Sequence, residues 1–199
     1  MGSSPTLGTM SRHKVSDKEF QWTPKLAYAV GLLVTDGNLS GDGRHINMRS
    51  SDKELLETFC KCLNLKNRIA QTHNDGWARK PAYRVQFGNV QLYRWLLRVG
   101  LFPNKTYTIG ILNIPNDYFW DFLRGHLDGD GSITTYSDRW NTFKSPKYVY
   151  TRLWLRFISA SREHVDWLQS RIFALSGTKG HRAQAKISRP YQRVGLSIL

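Results

Sequence analysis

The apolar residues of this chain change their period along it, and the changes mark out elements. The longest apolar run lies within "LAYAVGLLVTDG" (residues 26–37) and is about half of a membrane span. Thr23-Pro24 before it and Asp36-Gly37 after it form a helix start and stop. In "RHINMRSS" (44–51), Ile46 and Met48 alternate with polar residues, the period of a half-buried strand. "DKELLETFCKCLNL" (52–65) returns to a helical period, with Leu55, Leu56, Phe59 and Cys62 along one side. "NRIAQTH" (67–73) and "AYRVQFG" (82–88) are two more strands, joined by the polar loop "NDGWARKP". "VQLYRWLLRVG" (90–100) is a helix ending at Gly100.

The same order then begins again. "FLRGHLDGDGS" (122–132) is a helical segment with Asn116 and Asp117 at its start and Gly129 and Gly131 at its end. "SITTY" (132–136) and "YVYTRLWLRFIS" (148–159) are strands, "SREHVDWLQSRIFALSG" (161–177) a helix, and "KGHRAQAKIS" (179–188) and "YQRVGLSIL" (191–199) strands. Gly31 and Gly125 stand 94 positions apart, and so do Asp36 and Asp130. The first hairpin of the second repeat is about 15 residues longer, and the counterpart of the helix at 91–99 is missing at the C-terminus.

Asp36 and Asp130 each fall at a helix C-terminus, the negative end of the helix dipole, where cations are favoured over acids. Two acids so placed, at matching positions of a repeat, call for something positive between them. "AVGLLVTDG" (29–37) and "LRGHLDGDG" (123–131) resemble the two signature motifs of the LAGLIDADG homing endonucleases, and the likeness covers roughly residues 22–199. The resemblance implies an α+β fold of two pseudo-symmetric αββαββα repeats, their antiparallel DNA-binding sheets joined through the two motif helices. Residues 1–21 would be an expression leader and N-terminal extension, 22–99 repeat one, 100–115 a linker and 116–199 repeat two.

Small contact faces let two helices meet closely, and Gly31 with Gly125 supply them. That contact would bring Asp36 and Asp130 together beneath the DNA. Hard divalent cations with oxygen ligands would relieve their repulsion and bridge them to phosphate. The resemblance implies Asp36 and Asp130 as catalytic metal ligands, with the backbone carbonyls of Thr35 and Gly129 completing the set around Mg2+, with Ca2+ or Mn2+ as substitutes. "GLFPNKTYTIG" (100–110) resembles the segment in which the family places a lysine near its active sites, which singles out Lys105 as an electrostatic stabiliser or organiser of water. Asp128 stands where repeat one has Val34 and reads as a supporting acid, while Ser50 and Ser159 fall at strand ends where relatives carry a polar active-site residue.

An antiparallel sheet with helices on one side alternates apolar-in and polar-out. Ile46, Met48, Tyr83, Val85, Phe87, Val149, Leu153, Leu155 and Phe157 then face the helices. His45, Asn47, Arg49, Arg84, Gln86, Tyr150, Arg152, Trp154 and Arg156 face outward. Parity in the last two strands adds Arg182, Gln184, Lys186 and Arg193 to the outer set and sends His181 inward. Apart from Trp154, whose part is open, this set is the candidate DNA interface, because Arg, Lys, Asn and Gln fit base edges in the major groove.

Composition points the same way. Of 199 residues 40% are hydrophobic and 13% aromatic, enough for a folded chain. Lys and Arg number 29 against 15 acids, a net charge of +14 spread through the whole chain, which favours a nucleic acid over a membrane surface as partner, and the resemblance implies that it is double-stranded DNA. Cys60 and Cys62 are spaced for neither a disulfide nor a zinc site and suit an intracellular, reduced protein. With both repeats in one chain, the expected enzyme is a monomer that hydrolyses phosphodiesters in both strands of a long, pseudo-palindromic DNA target. A non-cleaving DNA-binding protein or an intron RNA maturase is the alternative on the same fold.

Overall fold

The computed structural model describes residues 20–72, 81–184 and 194–198. Helix α1 (Pro24–Thr35) begins with the Thr23 hydroxyl accepting the Leu26 N–H at 3.1 Å and with proline in its first turn. Strands β1 (Gly37–Leu39) and β2 (His45–Ser50) follow, then α2 (Lys53–Cys62), β3 (Ala70–Thr72), β4 (Ala82–Gly88) and α3 (Val90–Val99). The second half gives α4 (Phe119–Asp130), β5 (Ser132–Asp138), β6 (Tyr150–Ser159), α5 (Arg162–Ser176), β7 (His181–Gln184) and β8 (Val194–Ile198). Each half makes one four-stranded antiparallel sheet, in the order β1-β2-β4-β3 and β5-β6-β8-β7. Two sheets of the same order, each preceded by a buried helix, are the α+β duplication expected from the sequence.

Side-chain caps start the helices where the sequence places them. The Asp52 carboxylate accepts the N–H groups of Glu54 and Leu55, the Asn89 side chain that of Leu92, and the Ser161 hydroxyl that of His164. α4 departs from expectation. Asn116–Tyr118 forms a separate 3-10 turn, and Tyr118 precedes the α-helix without a side-chain cap. At its other end α4 runs through Gly129 and Asp130 and stops at Gly131. In α2 the buried side chains are Leu56, Phe59 and Cys60, while Leu55 and Cys62 are half-buried. The strand expected over 67–73 is confined to Ala70–Thr72.

The core joins the two halves. α1 is buried from Leu26 to Val34 and packs along α4, which buries Phe119, Phe122, Leu123, Gly125 and His126. α3 packs on β2, and its Tyr93 hydroxyl donates at 2.6 Å to the carbonyl of Ser40, just after β1. Among the described residues the second half has no counterpart of α3, although α4 and α5 both pack on β6. Leu39 is accordingly 1% exposed, whereas Ile133, its counterpart one repeat later, is 62% exposed. The same lack corrects two inward assignments, because Val149 and Leu153 are both exposed on the projecting end of the long hairpin.

Candidate active site and nucleic-acid interface

Glycine brings the two acids together. A Cβ on Gly31 would lie 2.2 Å from the Phe122 carbonyl oxygen, and one on Gly125 2.1 Å from that of Tyr28. At Gly129 a Cβ would strike the Thr35 hydroxyl at 2.0 Å, so the contact persists to the C-terminal ends of both helices. The Tyr28 hydroxyl donates to Asp128 at 2.8 Å across the same seam, and Arg124 lies over the Tyr28 ring. Asp128 therefore ties the helices to each other.

Asp36 caps α1 and Asp130 is the last residue of α4; β1 and β5 begin within two residues of them. Asp36 is half-buried and its carboxyl is pushed up to about 6, first by burial and then by the charge of Asp130, against the pull of Lys105. Lys105 is 6% exposed, and its Nζ donates to the Gly37 carbonyl beside Asp36. Burial pushes its ammonium down to about 8, opposed by the charges of Asp36 and Asp130. One buried lysine thus feels both carboxylates. The Thr35 hydroxyl is turned back onto its own helix, donating to the Leu32 carbonyl at 3.0 Å. Ser50 and Ser159 serve alike in the two repeats, each accepting the N–H of the residue two further on, Asp52 or Ser161, at 3.1 Å.

A cavity of about 50 Å³ borders Thr35, Lys105, Thr106, His126, Asp130 and Ser159. Among the described residues no group of three or more His, Cys, Asp or Glu side chains converges as a closed metal cage. Two carboxylates with backbone and water oxygens are an open, hard-oxygen donor set that suits a divalent cation sharing its ligands with phosphate.

In the first sheet the inward and outward sets follow the sequence. Ile46 pairs with Phe87 and Met48 with Val85 on the helix side, all buried. On the other face Asn47 stands opposite Gln86 and Arg49 opposite Arg84, with both arginines exposed. His45 shares that face, its Nδ1 bonded to the Asp42 carboxylate of the hairpin turn.

The second sheet brings two corrections. Phe157 pairs with Leu196, and Leu196 with Arg182, so Arg182 lies on the helix side rather than the outer face. Its guanidinium bonds Asp166 of α5 at 2.7 Å. His181, opposite Ser197 and Arg156, takes the outer face in its place. Gln184 stands opposite Val194 in the ladder, its side chain lying outside the described residues, as Lys186 and Arg193 do entirely. The other correction is the length of the strand read over 132–136, which brings an acid onto the outer face. β5 extends to Asp138, opposite Tyr150, and Asp138 holds Arg152 Nε at 2.6 Å. Trp154 packs on Tyr136 with ring centroids 6.2 Å apart, Tyr150 stacks on Tyr148, and Arg156 is exposed.

No protein-family model and no curated protein matches the sequence. Solved structures do. Full-length DUF199/WhiA from Thermatoga maritima is similar over 90% of this chain, with a TM-score of 0.54 at 12% identity; the chain spans 53% of that protein, about half its length. The N-terminal LAGLIDADG domain of DUF199/WhiA gives 0.50 at 13% identity, over 92% of this chain and 78% of that one. The chain has the LAGLIDADG fold. The homing endonuclease I-DmoI, in complex with DNA and Mn, gives 0.53 at 16% identity, over 88% of this chain and 89% of that one. A point variant of I-DmoI with its target DNA in the presence of Mg, and I-DmoI with DNA and Ca, are similar as well. Among the described residues of this chain, no helix is long and apolar enough to cross a membrane.

Proposed function

We propose that this protein is a site-specific DNA endonuclease of the homing type, which makes metal-dependent double-strand breaks in a long, pseudo-palindromic target. The observation that carries the reading is the meeting of Asp36 and Asp130 at two helix ends beside the buried Lys105. Burial first and then the charge of Asp130 push the Asp36 carboxyl up to about 6, and the helix dipoles disfavour both acids at these ends. A purely structural role would favour removing one of the acids.

Asp36 and Asp130 would hold the divalent ions, with the carbonyl oxygens of Thr35 and Gly129. A bound divalent ion supplies Lewis-acid stabilisation of the attacking and leaving oxygens and a more acidic water. Lys105, fixed by the Gly37 carbonyl, puts its positive charge where the phosphate gains negative charge in the transition state. Asn47 and Gln86, side by side on β2 and β4, have the amide geometry that reads adenine in the major groove. Arg49 stands directly opposite Arg84 on the outer face, where two guanidiniums would suit a phosphate of the DNA backbone. Residues 22–99 and 116–199 would each read one half-site as parts of a monomer. With seven residues in β4 and ten in β6, at about 3.3 Å per strand residue and 3.4 Å per base pair, the two ribbons span on the order of 16 base pairs.

The test is selection of cleaved duplexes from a randomised library, with and without magnesium. Recovery of one long, imperfectly symmetric sequence cut on both strands only with metal supports the reading. Tight, selective binding without cleavage in any divalent ion would replace it with a non-cleaving DNA-binding protein, and preference for structured intron RNA with a maturase.

A further inference from the structure

Beside the Asp130 half of the site lie two buried histidines that the reaction above does not use. His126 sits one turn before Asp130 on α4, and its ring stacks on that of His164 from α5, with centroids 5.3 Å apart. His164 Nδ1 is 2.9 Å from the Gly110 carbonyl oxygen, which can only accept, so Nδ1 carries a proton. Burial keeps both rings neutral, pushing His126 down to about 3 and His164 to about 4, and the charge of Lys105 also lowers His164. A neutral imidazole has one N–H, so His164 Nε2 is an acceptor. It lies 3.2 Å from His126 Nε2, which must therefore donate.

This chain of bonds fixes both tautomers and leaves His126 Nδ1 as a bare lone pair. That atom is buried and has no hydrogen-bond partner in the protein, a costly state for an acceptor. His126 also borders the cavity of about 50 Å³ whose wall includes Asp130, Lys105 and Ser159. A water occupies roughly 10–15 Å³ by such a measure, so the space is sufficient and polar enough for one. In repeat one the same position is Leu32, fully buried, so the arrangement belongs to one half of the site.

We propose that His126 is a positioning residue: its Nδ1 accepts a hydrogen bond from a water held in this cavity, and that water donates its other proton to the Asp130 carboxylate. The water steadies Asp130 from behind. Asp36 lacks this support, because its helix carries Leu32 where α4 carries His126. The two strands of the target are then cut by unequal halves. This inference rests on the endonuclease reading, and its test separates the two.

The first measurement is on the DNA-free protein: long-range 15N–1H spectra of the histidine rings between pH 5 and 8. The expected result is the Nε2–H form of His126, with its Nδ1 accepting a hydrogen bond, and the Nδ1–H form of His164 throughout. A proton on His126 Nδ1 would overturn the proposal, whether or not the protein cuts DNA. The second is strand-specific nicking on the selected target. His126→Leu should slow one strand about tenfold, the usual scale for losing a partner behind a metal ligand, with DNA affinity unchanged. His126→Asn, whose Oδ1 can stand in for Nδ1, should recover most of the rate. Equal slowing of both strands, or wild-type nicking by His126→Leu, overturns the proposal and leaves the endonuclease reading standing. Failure of the wild-type protein to cut removes that reading, and the spectra still decide the water site.

Discussion

Gly31 and Gly125 face each other across the α1–α4 seam with no room for a methyl group on either. The atoms a Cβ would strike are backbone: the Phe122 carbonyl oxygen at 2.2 Å from Gly31 and the Tyr28 carbonyl oxygen at 2.1 Å from Gly125. Backbone cannot rotate out of the way, so the helices themselves must separate. Gly125→Ala is expected to cost at least the roughly 1–3 kcal/mol of an overpacked core, and Gly125→Leu more. Equilibrium urea unfolding measures it, and an unchanged midpoint would place Gly125 away from the seam.

The seam also sets the distance between the carboxylates, so its acids should matter for cutting and not for holding DNA. Asp36→Asn and Asp130→Asn are each expected to lower double-strand cleavage by at least about a hundredfold, the scale of removing a transition-state stabiliser. Affinity for the same DNA should stay within about threefold, or rise as negative charge is removed beneath the phosphates. Cleavage at the wild-type rate by the double variant would dissociate these acids from the chemistry.

Much of this was legible in the sequence because burial on one face leaves a strict alternation. Ile46, Met48, Val85 and Phe87 sit at every second position of β2 and β4, and their phase fixes the outer residues between them. β7 offers no such anchor. "HRAQ" has only Ala183 as an apolar residue, so its phase is decided by pairing with Leu196, a relation between distant segments, and Arg182 turns toward Asp166. Asp138 was missed for another reason: the strand it belongs to runs two residues beyond its β-prone stretch. The histidine pair left half a signal, His126 standing where the repeat has Leu32. Its partner His164 lies 38 residues away and is brought to it by the packing of α5.

The raised carboxyl of Asp36 makes a stability prediction with a definite sign. Its folded value of about 6 exceeds the ordinary 3.8, so the folded protein holds this proton more tightly than the unfolded chain. Stability attributable to Asp36 therefore falls as pH rises from about 4 to about 6 and stays low above that. Asp36→Asn should raise Tm at pH 7.5 and leave it unchanged at pH 3.5. A divalent ion should stabilise the wild type at pH 7.5 and lose that effect below pH 6. A lower Tm for the variant at neutral pH would contradict the burial and repulsion at this site.

Cleavage should follow the same groups. Asp36 must be charged to hold a cation, and Lys105, pushed down to about 8, must be charged to face the phosphate. The expected rate rises through pH about 6 and declines above about 8, two limits that belong to the coupled set rather than to single residues. Lys105→Met should abolish the alkaline limb and slow the reaction, with the acid limb retained. An alkaline limb that persists in Lys105→Met would assign it to another group.

The two faces of the second sheet allow a comparison between residues of one charge. Arg156 is exposed on the outer face, beside Arg152 and Trp154, whereas Arg182 points to the helices and bonds Asp166. If the outer face meets DNA, Arg156→Ala, Arg49→Ala and Arg84→Ala should each reduce the salt slope of binding by about 1 for a phosphate contact. A guanine contact would instead cost about 1–3 kcal/mol at a single base pair. Arg182→Ala removes the same charge two strands away and should leave slope and specificity near wild type. Asp138 sharpens the comparison, because it holds Arg152 by a bond of 2.6 Å that DNA would have to share. Asp138→Asn should release Arg152, remove a repulsion and tighten binding, most at low salt where screening is weakest. Salt titrations of these five variants on the selected site and its single-base changes decide the matter. Equal slopes for Arg156→Ala and Arg182→Ala, with no gain from Asp138→Asn, would move the DNA off the outer face.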